Sequence, residues 1–251
     1  MNPSPGLVAV KSLTAEADLP ALVRRYVDRA LPGGCRGRNP RQVRVTQAGE
    51  MRQKPGGSWR RFTATEDFAV DEVAYSWRAR FPIAPLVWLS VVDGYTGGEG
   101  FLEARAWGLF RVIRARGQDV SEGEALRYLF ELPWVPQAML ANGALEWRAI
   151  DAKTVEVATA VGPARLAARF EFDEAGDIIG ASCDARPYLD GKTFVARPWA
   201  GRFADYANIG GVRLPTRAEV RWELPDGPFA YWRGTISSLE LDPPRSSRSG
   251  V

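Results

Sequence analysis

Alternation between apolar and polar residues constrains the fold of this chain more than any other feature of its sequence. In the segments 75–81, 166–172 and 218–224, residues of one parity are apolar or aromatic, and the other parity is rich in polar and charged residues. A period of two places the two sets on opposite faces of a β-strand. Strands with one buried and one solvated face favour antiparallel pairing.

Turn signals separate these strands. Asp-Gly pairs, which are typical of hairpins, occur at 93–94, 190–191 and 226–227, and residues 173–177 form a further Asp-bounded turn. Together with the other alternating segments, including the one that starts at Val43, they predict roughly ten antiparallel strands.

Two segments have the period of a helix instead. In the first, apolar residues recur at helical spacing after Thr14, a candidate cap, which predicts a helix over residues 14–31. In the second, Ser121 and Glu124 match a capping box with Ser121 as the N-cap, and two prolines break the helix about three turns later. This central helix divides the strands into two groups of about equal size.

No shift in composition divides the chain, so we expect one domain over residues 14–241, a flexible N-terminus at 1–13 and a disordered tail at 242–251. The predicted class is α+β: a large curved antiparallel sheet, with the N-terminal helix and the central broken helix packed in or over its concave face.

Histidine is absent from the chain, and this limits its chemistry. Without histidine there is no Ser-His-Asp triad, no His-based zinc site and no imidazole base. The two cysteines, Cys35 and Cys183, cannot form a Cys-only zinc or iron–sulfur site within one chain. We therefore expect no metal and no cofactor, and any catalysis must use carboxylate, tyrosine and arginine groups. This restriction favours binding over catalysis.

Basic residues are concentrated in one segment. Residues 35–61 contain eight basic residues against Glu50 alone, in a chain whose formal net charge is only +3. Such a segment can bind nucleic acid or an anionic membrane, but a solvated strand face followed by a loop is the simpler explanation. No zinc-finger, basic-zipper or RNP-like signature accompanies the charge, which argues against nucleic acid. With no recognisable signal peptide and no transmembrane segment, we expect a cytoplasmic protein.

A set of motifs spread over about four-fifths of the chain resembles a bacterial family defined only as a domain of unknown function. The motifs are Gly49–Arg52, Trp59–Thr65, Leu126–Pro136, Pro198–Tyr206, Gly210–Pro215 and Tyr231–Gly234. More distantly, the layout is similar to the lipoprotein carriers of the LolA/LolB-like fold. This resemblance implies an open half-barrel in which an unclosed antiparallel sheet wraps helices over an apolar cavity, and by analogy it implies a hydrophobic ligand. We expect this chain to differ from those carriers in having neither an export signal nor a lipobox cysteine.

Tryptophan is abundant, with nine residues spread over nearly all of the predicted strands. Aromatic residues distributed in this way fit a wide sheet that packs a core, and they also suit a cavity for a flat or apolar ligand. The candidate ligand-binding tryptophans are Trp77, Trp88, Trp107, Trp134 and Trp222.

A polar stripe on the central helix is the other candidate site. Glu124, Arg127, Tyr128 and Glu131 share one helical face. If the apolar residues of the helix pack on the sheet, this stripe faces water. If the helix instead fills a cavity, Glu131 is a candidate catalytic acid or base with a pKa raised by burial, and Tyr128 is a candidate for orienting a carbonyl or hydroxyl group. Arg127 then holds an anionic group or neutralises its two glutamate neighbours.

Three functions compete at this point. The favoured hypothesis is the binding of an apolar or amphipathic small molecule, such as a lipid-like ligand, in a Trp-lined cavity. The alternative is a metal-free, cofactor-independent cyclase, isomerase or dehydratase that uses Glu131 and Tyr128 as catalytic residues, with Arg127 as a ligand-binding residue. The third is contact with an anionic membrane or nucleic acid through the basic segment 35–61.

Overall fold

Thirteen strands form one continuous antiparallel sheet in the part of the chain that the computed structural model describes, residues 19–33 and 40–243. Their bounds are β1 Gln42–Met51, β2 Arg60–Ala69, β3 Tyr75–Ala84, β4 Val87–Thr96, β5 Glu99–Ala106, β6 Phe110–Arg116, β7 Glu146–Ala149, β8 Thr154–Val161, β9 Ala164–Phe172, β10 Ile178–Asp190, β11 Thr193–Ile209, β12 Val212–Leu224 and β13 Gly227–Leu241. The helices are α1 Ala21–Ala30, α2 Gln118–Glu131 and α3 Pro136–Ala141, with a 3₁₀ turn at Leu132–Trp134.

The sheet consists of two meanders that join where β1 pairs with β13. Strands β1 to β6 run outward to one edge, and strands β7 to β13 return from the opposite edge to the centre. The connection between the two edge strands therefore has to cross the whole sheet. Helix α2 makes this crossing and contacts strands of both meanders, including β5, β9 and β10. The sheet is an open half-barrel that curls around the helix, as expected for the predicted α+β class.

The inward face of the sheet follows the alternation in the sequence. Tyr75, Trp77, Ala79 and Phe81 are buried on β3, and the matching sets on β9 and β12 are buried or half-buried. The prediction of half-buried antiparallel strands is confirmed, although the described residues form thirteen strands rather than about ten.

The Asp93–Gly94 pair is not a turn, contrary to the prediction. It lies inside β4, and the hairpin turn is formed by Gly97 and Gly98, both with positive φ. A Cβ atom on Gly94 would lie 2.2 Å from the carbonyl oxygen of Tyr75, so glycine is needed here for close approach of β3 and not for a turn. The predicted turns at 173–177, 190–191 and 226–227 do connect neighbouring strands.

Helix α1 begins later than predicted. Leu19 and Pro20 are not helical, and the helix starts at Ala21, while Thr14 lies outside the described residues. Proline is unfavourable inside a helix because it lacks the N–H donor and clashes with the preceding turn, so Pro20 sets the boundary. The Tyr26 hydroxyl of α1 donates a 2.7 Å hydrogen bond to the carbonyl of Pro133, which holds the 3₁₀ turn in place.

Helix α2 begins at Gln118, three residues before the predicted N-cap. Ser121 lies inside the first turn, where its hydroxyl donates to the Gly117 carbonyl and accepts from the backbone N–H of Gly100 on β5. A Cβ atom on Gly100 would lie 2.6 Å from the Ser121 Cα atom, so this glycine allows α2 to approach β5 closely. The capping box is therefore wrong, because its serine binds the sheet and Glu124 binds Tyr75.

The chain termini fall partly outside the described residues, which include none of the segment 1–13 and none of 244–251. Asp242, which was assigned to the disordered tail, is placed: its carboxylate accepts hydrogen bonds from the backbone N–H groups of Arg41 and Gln42. Among the helices that the structure describes, none combines the length and the apolar character needed to cross a membrane.

Candidate functional site

A cavity of about 220 Å³ lies between α2 and the concave face of the sheet. Five tryptophans line it, each from a different element: Trp77, Trp134, Trp199, Trp222 and Trp232. Further apolar lining comes from Met51, Leu102, Phe130, Phe203, Val220 and Tyr231. The charged groups at its wall are Asp93, Glu124, Arg127, Glu131, Arg186 and Glu219.

The tryptophans reach the cavity because strand alternation points them inward, and they pack as a connected group. The ring of Phe130 on α2 stacks on Trp199 with centroids 3.9 Å apart, and Trp199 and Trp222 are 6.2 Å apart. Trp134 enters from the 3₁₀ turn, and its indole N–H donates to the carbonyl of Pro215. The indole N–H of Trp199 is buried and has no acceptor among the described residues. The cavity thus has closely packed aromatic walls.

Arg127 forms the centre of a carboxylate cluster at one wall. Its Nε donates to Glu131 at 2.8 Å, Nη1 donates to Asp93 at 2.9 Å, and Nη2 donates to Glu66 at 2.9 Å. Its guanidinium group also lies over the rings of Tyr75 and Trp77. All three nitrogens of Arg127 are therefore engaged by acidic side chains of β2, β4 and α2.

Burial and mutual repulsion change the protonation of this cluster. Burial, with repulsion from Glu131, raises the pKa of Glu66 well above its usual range, although Arg127 opposes the shift. Burial also raises the pKa of Asp93 to about 7, again against the attraction of Arg127. Burial lowers the pKa of Arg127, but the surrounding acids outweigh it and raise that pKa well above its usual value. Asp93 can therefore accept or donate a proton near neutral pH.

Glu131 has one engaged and one unengaged oxygen. Its Oε1 accepts from Arg127, whereas its Oε2 is buried with no hydrogen-bond partner among the described residues. The Tyr75 hydroxyl donates a short hydrogen bond to Glu124, two turns earlier on α2. Glu124, Arg127 and Glu131 of the polar stripe thus line the cavity, and the alternative in which the stripe faces water is wrong because the sheet curls around the helix.

Arg186 lies at the opposite wall and has a different environment. Its Nε donates to the carbonyl of Gly123 at 3.1 Å, and Nη1 donates to the Tyr231 hydroxyl at 3.4 Å. The guanidinium group stacks over Trp199 and Trp222, with its carbon 4.2 Å and 5.2 Å from the ring centroids. Within the described residues, no carboxylate oxygen lies within the 4.0 Å that defines an ion pair with Arg186.

Five of the eight predicted site residues line the cavity: Arg127, Glu131, Trp77, Trp134 and Trp222. Tyr128 does not. Its ring packs against Phe68 and Tyr75, and its hydroxyl donates to the carbonyl of Ala69 and accepts from Asn142. One residue along a helix is a rotation of about 100°, so Tyr128 points away from the face on which Arg127 reaches the cavity.

Trp88 and Trp107 also lie outside the cavity. Trp88 is on the outer face of β4, where Arg80 stacks on it at 4.1 Å. Trp107 is in the turn between β5 and β6, is 44% exposed and donates its indole N–H to the Leu86 carbonyl. The expectation that these two residues line a cavity is wrong, because tryptophan content alone does not indicate the face of the sheet.

The structure adds site residues that the sequence analysis missed. Glu66 and Gln47 occupy inward positions of β2 and β1, between apolar residues of the same parity. A polar residue at a position where the alternation predicts an apolar one could have indicated a buried polar site. The two side chains bind each other through a short hydrogen bond, and Gln47 accepts one from Trp77. Asp93 was assigned to a turn. Arg186 gave no signal, because a β-bulge between Cys183 and Arg186 changes the parity of β10.

The basic segment 35–61 is only partly described, since residues 34–39 are outside the described ranges. Arg44 pairs with Asp67 at 2.5 Å, and Arg52 stacks on Trp59. These arginines are engaged within the sheet. Among the residues that the structure describes, no group of three or more His, Cys, Asp and Glu side chains could hold a metal ion.

Comparisons with known proteins identify a family but no activity. Residues 10–234 match the model of a family of unknown function, DUF6544. No curated protein is significantly similar to the chain.

Solved structures with a similar layout include a LolA superfamily protein from Nitrosomonas europaea, at 12% identity and a TM-score of 0.46, covering 92% of this chain and 94% of that one. A DUF1329 family protein from Desulfovibrio piger is similar at 11% identity and a TM-score of 0.43, covering 88% and 90%. A β-barrel-like DUF1849 protein from Brucella abortus has 9% identity and a TM-score of 0.23, covering 80% and 97%.

Proposed function

Since the chain belongs to the DUF6544 family, whose function is unknown, we propose a function from its own cavity: it binds a small molecule that has a flat, apolar body. The observation that carries this proposal is the set of five tryptophans that meet around one cavity. Large aromatic side chains with few rotatable bonds form preorganised walls for a flat ligand, and their surfaces gain free energy when water is displaced.

The volume of the cavity limits the size of the ligand. Pockets for drug-sized ligands usually measure about 300–1,000 Å³, whereas this one measures about 220 Å³. We therefore propose a compact occupant, with a body the size of a substituted ring or a short acyl chain, and not a lipid with two long chains. A cytoplasmic location stays a prediction.

Calorimetric titration with 4-phenylbutan-1-ol, a neutral aromatic probe of suitable size, tests this proposal. We expect Trp199→Leu and Trp222→Leu to weaken binding about tenfold or more, because each removes a wall of the cavity. Trp88→Leu is the matched control, since it makes the same change on the outer face of the sheet. Equal binding by all three variants, or no binding by the wild type, would overturn the proposal.

The alternative of an acid–base enzyme loses part of its support. Tyr128 lies outside the cavity, and Arg127 is already engaged by three carboxylates. A catalytic role for Glu131 stays a prediction. If Glu131 is catalytic, the variant Glu131→Gln should no longer convert a bound substrate, and its affinity for that substrate should be nearly unchanged.

A second candidate function, contact with an anionic membrane, is favoured by one surface feature. Seven exposed apolar residues cluster at two neighbouring hairpin ends and on the edge strand β6: Ile83, Leu86, Trp107, Leu109, Phe110, Val112 and Ile113. We call them the hairpin-tip patch. Residues 99–116 add four arginines against two glutamates. Exposed apolar and aromatic residues next to arginine suit the interface of an anionic bilayer.

Co-sedimentation with phosphatidylcholine vesicles, with and without phosphatidylserine, tests this second candidate. We expect binding that requires phosphatidylserine and is lost in the double variant Leu86→Asp/Leu109→Asp, because a charge at each tip opposes insertion. Leu189→Asp, at an exposed leucine of another hairpin, should bind normally. Concentration-dependent self-association without vesicle binding would instead indicate that the patch contacts a second copy of the chain.

A further inference from the structure

Arg186 enters the cavity through an irregularity of its strand. Cys183 points inward on β10, and strict alternation would place residue 186 on the outer face. The β-bulge between Cys183 and Arg186 shifts the register by one residue, so that the side chain of Arg186 is buried against α2. Bulges often redirect a side chain at a functional site.

The hydrogen-bonding capacity of Arg186 is only partly used. A guanidinium group has five N–H donors in one plane. Gly123 and Tyr231 accept one hydrogen bond each from Arg186, and the remaining donors have no acceptor among the described residues. Trp199, on which Arg186 stacks, contributes a further buried N–H without an acceptor. Arg186 therefore has unused donors and no ion-pair partner among the described residues.

A buried charge without a counter-ion is costly, and proteins usually pair it. Glu124 lies near enough to raise the pKa of Arg186, together with Tyr231 and against the effect of burial, but it forms no ion pair with Arg186. Its carboxylate instead accepts from Tyr75. The aromatic faces of Trp199 and Trp222 stabilise the cation through their π-electrons without using its N–H groups.

The acidic side chains around the cavity restrict the anion that fits. Glu124 lies near Arg186, and Asp93, Glu131 and Glu219 also line the cavity, so a dianion such as a phosphate monoester would be repelled there. A carboxylate carries a single charge, is planar and matches the fork of a guanidinium group. Its apolar body would then lie between the tryptophans.

We propose that Arg186 is the binding site for a carboxylate, and that the natural ligand of the cavity is a small aromatic or apolar monocarboxylate. This inference rests on the proposed function and adds the ligand class to it. Each nitrogen of Arg127, which the sequence suggested for this role, already donates to a carboxylate that neutralises its charge.

Calorimetry on the full chain with four probes that share one apolar body tests the inference: 4-phenylbutyrate, 4-phenylbutan-1-ol, 4-phenylbutylamine and 4-phenylbutyl phosphate. A hydrogen-bonded charge contributes about 1.5–3 kcal/mol, so we expect the wild type to bind the carboxylate about tenfold or more tightly than the alcohol. The amine and the phosphate should bind more weakly than the carboxylate.

Variants of Arg186 test whether this residue causes the preference for the carboxylate. In Arg186→Gln the carboxylate and the alcohol should bind equally, with the affinity for the alcohol unchanged within about threefold. Arg186→Lys keeps the charge and should keep part of the preference, and it serves if the glutamine variant does not fold. Arg202→Gln removes an exposed arginine from the outer face of β11 and should behave as the wild type.

The outcomes separate the two proposals. If no probe binds, the proposed function fails and the inference fails with it. If the alcohol binds as tightly as the carboxylate, only the role of Arg186 is wrong. Tighter binding of the amine or of the phosphate, or a preference that survives in Arg186→Gln, would also overturn the assignment while leaving a ligand-binding cavity.

Discussion

Arg127 and Arg186 line the same cavity from opposite walls, yet their surroundings differ completely. Each nitrogen of Arg127 contacts a carboxylate, whereas Arg186 contacts a carbonyl, a hydroxyl and two indole rings but no described carboxylate within 4.0 Å. The residue type is the same, and exposure differs little: Arg186 is buried, and 15% of the Arg127 side chain is exposed. The two arginines therefore differ in whether acidic partners already neutralise their charge.

The excess of acidic side chains around Arg127 changes which of them are protonated. Three carboxylates share one guanidinium group, so burial and repulsion favour the protonated forms of Glu66 and Asp93. The wall at Arg127 can take up or release a proton near neutral pH, while the wall at Arg186 carries a fixed positive charge.

The largest expected effect on stability comes from removing Arg127, the arginine that is paired with three acidic side chains. Arg127→Met leaves three buried acids without their counter-ion and should lower the free energy of unfolding by about 3–5 kcal/mol. Arg186→Met is the matched variant and should cost only about 1–2 kcal/mol, because it leaves no unpaired carboxylate. Urea unfolding monitored by tryptophan fluorescence measures both, and equal losses would contradict the contrast between the two arginines.

The next effect concerns pH. The pKa of Asp93 rises from an ordinary 3.8 to about 7 in the folded protein, so the native state binds more protons than the unfolded chain between these values. Its contribution to stability is full at the acid end and is lost as the pH rises through about 7. Asp93→Asn removes this titration, so the difference in stability between wild type and variant should change by up to about 4 kcal/mol over that window.

Urea unfolding at a series of pH values checks this prediction. Asp67→Asn is a suitable control, because Arg44 and Arg78 hold the pKa of Asp67 below its usual value despite partial burial. Its contribution is present above pH 3.8 and is lost in more acidic solution, the opposite direction from Asp93. A difference between wild type and Asp93→Asn that does not vary with pH would rule out titration of Asp93.

The smallest effect is expected at Glu131. Glu131→Gln removes one of the three ion pairs of Arg127 but also relieves repulsion with Glu66, so the net loss of stability should be about 1 kcal/mol. The preference for 4-phenylbutyrate should remain, because Glu131 does not contact Arg186 through any hydrogen bond or ion pair described. Loss of that preference would mean that the two walls act as one site.

Much of the sheet could be predicted from the sequence, because alternation is a local property. The buried parity on β3, β9 and β12 and the hairpins at 190–191 and 226–227 are confirmed. The predicted starts of α1 and α2 are wrong, because Pro20 sets the beginning of α1 and because Ser121 bonds to Gly100, a residue that only the folded sheet brings near. Asp93–Gly94 was misassigned for a similar reason: Gly94 meets Tyr75 across a neighbouring strand.

The candidate site was only partly predictable. Arg127 and Glu131 were placed on one helical face by the period of the helix, but whether that face met water or a cavity depended on the curvature of the sheet. Trp88 and Trp107 were grouped with Trp77 because aromatic content does not distinguish inner from outer positions.

By itself, the sequence determined the strand alternation, the broken central helix and the absence of histidine chemistry, because each depends on residue identity and short-range spacing. The tertiary structure decided which polar groups meet. Joining the meanders at β1 and β13 forces α2 across the sheet and encloses its polar stripe, and one bulge in β10 turns Arg186 inward. These outcomes depend on strand pairing between distant segments. Only the folded chain therefore determines whether each arginine has a carboxylate partner.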